Sequence, residues 1–388
     1  MDLSFTAEEE AFRHQARAWL EASVPAAPLA SMDTPDGFEQ HRAWERTLHG
    51  GGWSAVWWPA EYGGRGVDLM HWLIFEEEYH RAGAPLRVNQ NGIFLLGPTL
   101  LDAGSPEQRA RFLPKMAAGE EIWCQGWSEP NAGSDLAAIQ SRARLSDDGS
   151  HWVVSGQKTW CSRAVWADWL FGLFRSDPDA ERHRGLTYLL IPLDAPGVTV
   201  RPIAKFDGEA GFAEVFFDDV RVDVANTLGE VGRGWQIAMA TAGFERGILL
   251  RSPGRYMEAT RRLLDLYRAT EGAGASLRDA VVAAWMDAEA YRLHTFHTVS
   301  RVLDGETPGA EVSLNKIFWS EMDMRIQESA LQLLGDRALL QAGAPDAVED
   351  GRWLHGWTAS LAGPIFAGTN QIQRNIVADR VLRLPRGA

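Results

Sequence analysis

The sequence predicts an α+β chain in which a β-domain lies between two helical parts. Apolar residues recur at helical spacing up to about residue 122 and again from Gly234 to the C-terminus. Between these parts lie short segments rich in β-branched and aromatic residues, separated by turn residues. We therefore expect an N-terminal all-α domain at 1–122, a central antiparallel β-domain at 123–228 and a C-terminal four-helix-type bundle at 229–388.

The composition narrows the class of protein. The formal net charge of −14 argues against nucleic-acid binding, because a phosphate backbone attracts a basic surface. No apolar run is long enough to span a bilayer, and the N-terminus lacks the basic start and apolar centre of a signal peptide. The two cysteines, Cys124 and Cys161, are too few for a disulfide framework. We expect a cytoplasmic enzyme with no nucleic-acid partner and no membrane insertion. Its 17 tryptophans favour core packing over the alternative of walls around a flat ligand.

Local signals define the elements of the first part. "TAEE" at Thr6–Glu9 is a capping box, and Ser105 followed by Pro106 is typical of a helix start. "WWPAEYGGRGVD" at 57–68 predicts a loop between helices, and "FEEEYH" at 75–80 is interpreted as a solvated helix face.

The middle and last parts follow the same reasoning. We predict strands at "HWVVSGQKTW", "WLFGLFR", "LTYLLIPL", "VTVRPI" and "EVFFDDVRV", and long helices from Gly234 onwards. His294 and His297 share one helix, but no carboxylate-rich motif accompanies them, so a metal site is the weaker interpretation.

Three stretches are candidates for a binding site. "NAGSD" within "WCQGWSEPNAGSD" (123–135) is a small-residue turn that is either an anion-binding nest or a plain turn. "KTWCSRA" (158–164) ends a strand with Trp160, which either covers an aromatic cofactor or packs as an ordinary sheet residue. "AGTNQIQRN" places Gly368, Thr369, Asn370 and Gln371 at a helix start, which suits a phosphate or simple capping by Thr369.

Together with "EYGGRG", these stretches resemble the acyl-CoA dehydrogenase family over nearly the whole chain. The resemblance implies one FAD per subunit, an acyl-CoA substrate, a tetramer and an electron-transfer flavoprotein as acceptor. It places Trp127 and Ser128 at the flavin ring, and Gly133 and Ser134 near the pyrophosphate and the CoA. It also places Trp160 against the isoalloxazine and implies a hydrogen bond from Ser162 to the flavin. It also places Gly368, Thr369 and Gln371 at the FAD.

One departure from the family concerns the catalytic base. Many members carry a glutamate directly before "GT", where this chain has Ala367. A branch of the family carries its base on the helix after the β-domain, before an arginine, which is the position of Glu245 in "FERG". On that helix Glu245 shares an apolar face with Thr241 and Ala242, so desolvation would raise its pKa toward that of a general base. Arg246 would help to seat the CoA. The alternative is a buried Glu245–arginine ion pair without chemistry.

A second departure concerns the assembly. The family's Arg-x-x-Phe-Gly segment, which serves a neighbouring subunit's FAD, is missing, and Asp336 stands where a second glycine is common. A related branch that acts on sterol side chains and other bulky acyl-CoAs forms heterotetramers with fewer flavins. We predict FAD-dependent α,β-dehydrogenation of a branched or bulky acyl-CoA, in a homotetramer or heterotetramer. The alternatives are a flavin-poor partner subunit and a flavin oxidase or monooxygenase.

Overall fold

The computed structural model of the protein describes residues 4–246, 249, 251–307 and 309–385, with the backbone alone at 244–246. That part of the chain forms helices before and after a central sheet. The α-helices are α1 (Ala7–Ser23), α2 (Pro35–Gly50), α3 (Leu69–Arg81), α4 (Gly97–Ala103), α5 (Pro106–Ala117), α6 (Gly234–Arg246), α7 (Pro253–Ala269), α8 (Ala275–Leu303), α9 (Val312–Leu334), α10 (Arg352–Ser360) and α11 (Asn370–Ile376).

The predicted helix starts are confirmed. The Thr6 hydroxyl accepts the Glu9 amide N–H while the Glu9 carboxylate accepts the Thr6 amide N–H, which is the reciprocal capping box. Ser105 caps α5, with Pro106 as its first residue. The stretch 57–68 is a loop that contains a short 3-10 turn at Ala60–Tyr62 and ends at Asp68, the N-cap of α3.

The strands form one sheet that is mainly antiparallel. They are β1 (Trp123–Gly126), β2 (Arg142–Leu145), β3 (His151–Ser162), β4 (Trp169–Arg175), β5 (Leu186–Pro192), β6 (Val198–Ile203), β7 (Phe212–Asp223) and β8 (Thr227–Leu228). Their order is β6-β7-β3-β2-β4-β5-β8, and β1 pairs with β4 in parallel. The five predicted strands, β3 to β7, are confirmed; β1, β2, β8 and the parallel pairing were not predicted.

One compact unit comprises residues 25–67 and 85–245, and it contains the sheet. One face of the sheet buries Trp152, Phe174, Leu189, Val215 and their neighbours. Cys124 and Cys161 are buried free thiols in the same core, and burial raises the pKa of Cys161 to about 12. The 123–135 stretch begins with β1, and the 158–164 stretch begins in the last part of β3.

The other compact unit comprises 1–24, 68–84 and 246–388. Its core is formed by α7, α8, α9 and α10 around Tyr256, Ala288, Trp319, Ile326 and Trp353. In the whole described chain, eight tryptophans are buried, which agrees with the core interpretation: Trp44, Trp53, Trp58, Trp72, Trp123, Trp152, Trp319 and Trp353.

The prediction of a solvated face at 75–80 was wrong. The Glu78 side chain is only 2% exposed, and its carboxylate accepts hydrogen bonds from Arg13, Arg17 and Arg81. Burial alone raises a carboxyl pKa, but these three guanidinium groups outweigh it and hold the pKa of Glu78 at about 2. Arg13 and Arg17, which are distant in sequence, and the neighbouring Arg81 therefore make burial of Glu78 possible.

Among the described residues, no helix combines the length and the apolarity needed to cross a membrane.

Candidate functional site

The loop after β1 is a tight turn with an exposed end. Glu129 and Ala132 each donate the backbone N–H to the other's carbonyl oxygen at 3.0 Å, so the chain reverses direction between them. Gly133 and Ser134 follow and are exposed. A Cβ atom added at Gly133 would meet no atom within 4 Å, so the space beside this backbone is open. The loop can therefore be approached from solvent at the two residues predicted to lie near a pyrophosphate.

A buried ion pair lies beneath this loop. Lys158, which is fully buried in β3, places Nζ 2.7 Å from Oε1 of Glu129. Glu129 also accepts the backbone N–H groups of Gln140 and Ser141, at 2.6 and 2.9 Å. Burial raises the pKa of the Glu129 carboxyl, but Lys158 and these donors outweigh it and hold that pKa below its ordinary value. Sequence reasoning missed this pair, although both residues lie inside the two quoted motifs.

Trp160 has an unusual backbone conformation. Its φ is +60°, in the left-handed region that non-glycine residues rarely occupy. The residue lies where the β3–β7 register shifts between Lys158 and Cys161, and such bulges redirect side chains. The Trp160 side chain is 60% exposed and touches Phe212 edge-on, with ring centroids 6.0 Å apart. It is therefore presented to solvent, unlike the packed sheet tryptophan of the alternative interpretation. Ser162 ends the same strand opposite Phe212 and is half-buried.

Three hydrogen-bond donors near the end of β1 have no acceptor in the described part of the chain. They are Nε2 of Gln125, Nε1 of Trp127 and the backbone N–H of Ser128. Buried indole N–H groups without acceptors also occur in the core, at Trp58 and Trp123. The group at 125–128 differs because three donors lie within four residues and adjoin the solvent-facing loop. The Gln125 and Trp127 nitrogens are buried, and unpaired buried donors are costly, so a ligand with several acceptors, such as the flavin ring of FAD, fits this position.

Helix α6 carries the predicted base, Glu245, and its neighbour Arg246. The side chains of both residues lie outside the described part of the structure. One turn earlier, Thr241 is fully buried, and its hydroxyl lies 2.9 Å from the Thr99 hydroxyl and 3.4 Å from the Tyr188 hydroxyl. Ala242 is also buried, whereas Gly243 is exposed and has no atom within 4 Å of an added Cβ. The helix face that leads to Glu245 is thus buried, with open space beside it at Gly243.

The stretch before α11 forms a strained loop. Ala367 and Gly368 have φ values of +56° and +80°, and the side-chain amide of Gln373 donates to both of their carbonyl oxygens at 3.2 and 3.3 Å. The Thr369 hydroxyl accepts the Ile372 amide N–H, so Thr369 is the N-cap of α11.

The other candidate residues at or near this loop differ in what they can offer to a ligand. The Asn370 side chain is buried and bonded to Lys316, Ser320 and Glu321, so its amide is used inside the protein. Gln371 and Asp336 are exposed. Ala367 itself has only a methyl group and cannot act as a base.

The histidine pair shows no metal-site geometry. Neither His294 nor His297 belongs to a cluster of three potential metal ligands among the described residues. Burial lowers the pKa of His294, so its imidazole is neutral near pH 7.

The chain is similar to known proteins over its whole length. Family models of the acyl-CoA dehydrogenase N-terminal, middle and C-terminal domains match residues 6–120, 124–220 and 232–382. The acyl-CoA dehydrogenases IpdE1 of Mycobacterium tuberculosis and Mycolicibacterium smegmatis are 42% and 41% identical to it, with 98% of each chain covered.

Two solved structures are similar across the full chain. The ChsE4–ChsE5 complex from Mycobacterium tuberculosis is 31% identical with a TM-score of 0.84, and 100% of both chains is covered. The steroid ACAD Tcur3481-Tcur3483 is 27% identical with a TM-score of 0.87, again with 100% of both chains covered.

Proposed function

Because the chain belongs to the acyl-CoA dehydrogenase family and is an oxidoreductase, we propose that it converts a branched or bulky acyl-CoA to its trans-2-enoyl-CoA with FAD. The observation that supports an FAD site most directly is the group of donors without acceptors at Gln125, Trp127 and Ser128. The exposed, left-handed Trp160 supplies an aromatic face for a flat ring.

We propose roles for the remaining residues from these placements and from the family resemblance. The residues that hold FAD are Trp127, Ser128, Gly133, Ser134, Trp160, Ser162, Gly368, Thr369 and Gln371. When bound, FAD supplies the acceptor for the hydride that leaves the substrate β-carbon. Ser134 and Arg246 contact the CoA portion of the substrate. The spacing of the three family matches supports functional segments at 1–122, 123–228 and 229–388.

Glu245 is our candidate for the base that removes the substrate α-proton. Ala367 cannot perform this step, and α6 reaches Glu245 through a buried face that includes Thr241 and Ala242. We propose that the Glu245 carboxylate is shielded from water there, because loss of hydration raises a carboxyl pKa and makes the carboxylate a stronger base. Loss of the α-proton to Glu245 and of the β-hydride to the acceptor leaves the carbon–carbon double bond.

The proposal of a bulky acyl group rests on two supports. One similar solved structure is that of a steroid ACAD, and the candidate base occupies the α6 position instead of position 367. We also propose an electron-transfer flavoprotein as acceptor and a cytoplasmic location.

A second candidate function is that of a partner subunit which completes another chain's flavin site. Two similar structures are of two-protein assemblies, and this chain lacks the Arg-x-x-Phe-Gly segment. The heterotetramer is therefore proposed beside the homotetramer.

The deciding experiment is the visible absorption spectrum of the chain expressed and purified alone. A flavin spectrum near one FAD per chain, bleached anaerobically by acyl-CoAs of increasing bulk, would support the enzyme with its own site. A colourless folded protein would favour the partner subunit. Bleaching by straight-chain acyl-CoAs alone would contradict the bulky substrate.

A further inference from the structure

We propose that the buried Glu129–Lys158 pair positions the backbone of Trp127 and Ser128 so that the Ser128 amide N–H is directed at the cofactor. Both are then positioning residues, and the inference rests on the proposed FAD site.

The pair connects three segments of the chain at one point. The Lys158 ammonium donates to Oε1 of Glu129 at 2.7 Å and to the carbonyl oxygen of Trp127 at 3.3 Å. Glu129 accepts the N–H groups of Gln140 and Ser141 on the segment that enters β2. The loop before the turn, the segment after it and strand β3 are therefore held together by two side chains.

The carbonyl bond to Lys158 fixes a peptide plane. In a trans peptide the carbonyl oxygen of one residue and the N–H of the next point in opposite directions. Because the Trp127 carbonyl points to the buried ammonium, the Ser128 N–H points away from it. That N–H has no acceptor in the described structure. The orientation that leaves this donor open is thus set by Lys158.

The next peptide is held by the same strand. The Thr159 amide N–H donates to the Ser128 carbonyl oxygen at 2.9 Å, and Thr159 lies between Lys158 and Trp160. Lys158 therefore anchors the strand at the point where it bulges and presents Trp160. One buried charge fixes both the open amide at Ser128 and the exposed ring at Trp160.

Stability alone does not account for this arrangement. Burying two charges costs desolvation energy, and well-packed apolar residues of similar volume often stabilise a fold as well or better. An ion pair supplies direction that an apolar pair lacks, because the ammonium must be met by acceptors at fixed positions.

The test compares wild type with Lys158→Met, Glu129→Gln and the double variant that carries both changes. Each single variant leaves the partner charge buried and unpaired, so it can fail to fold. The double variant removes both charges and keeps the side-chain volume. Arg182→Met is the control, because it breaks an exposed ion pair with Asp135 at the end of the same loop.

Two quantities are measured in each folded variant: the FAD dissociation constant and the hydrogen exchange of residues 126–134 in the FAD-free protein. We expect the double variant to unfold at the wild-type temperature, to bind FAD at least about tenfold more weakly and to exchange this segment faster. The control should match wild type in both quantities. A double variant with wild-type FAD affinity and exchange overturns the inference and leaves the proposed function intact.

A wild-type chain that binds no FAD would instead contradict an independent FAD site. The exchange measurement then decides the inference by itself. Unchanged exchange in the double variant overturns it, and faster exchange supports the positioning of the segment.

Discussion

Truncation of Trp160 separates the ligand-binding role that we propose for this residue from its role in the fold. We consider Trp160→Gly and Trp160→Ala, with Trp285→Ala as control, because Trp285 is also partly exposed, at 44%, and lies on α8. Since Trp160 is 60% exposed, its removal takes little from the core. Its φ of +60° strains any residue with a Cβ atom, and glycine relieves that strain.

The size of the effect on FAD binding follows from the exposed area. A tryptophan offers about 250 Å², of which the exposed 60% is about 150 Å². A flat ring that covers one face would bury about half of that, ~75 Å², worth about 2 kcal/mol at ~25 cal/mol per Å². Loss of this contact weakens binding about 25-fold. We expect the free energy of unfolding of Trp160→Gly to exceed that of Trp160→Ala by about 1 kcal/mol.

The assay is a fluorescence titration of FAD-free protein with FAD, together with urea unfolding of the same samples. Both Trp160 variants should lose FAD affinity equally, and Trp285→Ala should keep it. Unchanged FAD affinity in the Trp160 variants would refute the ligand-facing role. An alanine variant as stable as the glycine variant would refute the strain argument.

Three further predictions address the base, the donors and the buried carboxylate. Glu245→Gln should abolish turnover and keep the flavin spectrum, as measured by acyl-CoA oxidation; retained turnover would exclude Glu245 as the base. Gln125→Leu should weaken FAD binding about tenfold without lowering the urea midpoint, because it removes a buried donor that lacks an acceptor; equal FAD affinity would contradict this. Glu78 has a folded-state pKa of about 2, below its unfolded value of 4.5, so it stabilises the fold above pH 4.5 and this contribution fades as the pH falls toward 2. The difference is worth about 3 kcal/mol at pH 7 and roughly half of that at pH 3. Urea unfolding of wild type and Glu78→Gln should show that the difference between their free energies of unfolding is smaller at pH 3 than at pH 7. An equal difference at both pH values would rule out this linkage.

Local signals in the sequence predicted the elements whose formation depends on nearby residues. The capping box at Thr6, the helix start at Ser105 and the strands β3 to β7 agree with the structure. Each depends on hydrogen bonds a few residues apart or on long runs of strand-forming residues. Strands β1 and β2 have four residues each, too few to show a period, and they exist because β3 and β4 pair with them.

The sequence also determined the family, because the motifs that carry the resemblance are read residue by residue. It also predicted which residues form a cofactor site, and it shows that Ala367 cannot supply the base. The tertiary structure decided which charges are buried together. Glu78 meets arginines from α1, and Glu129 meets Lys158 from β3. It also decided the left-handed backbone at Trp160 and the internal bonds of Asn370. These features depend on partners brought together by folding, and no local pattern encodes the distance between residues that are far apart in the chain.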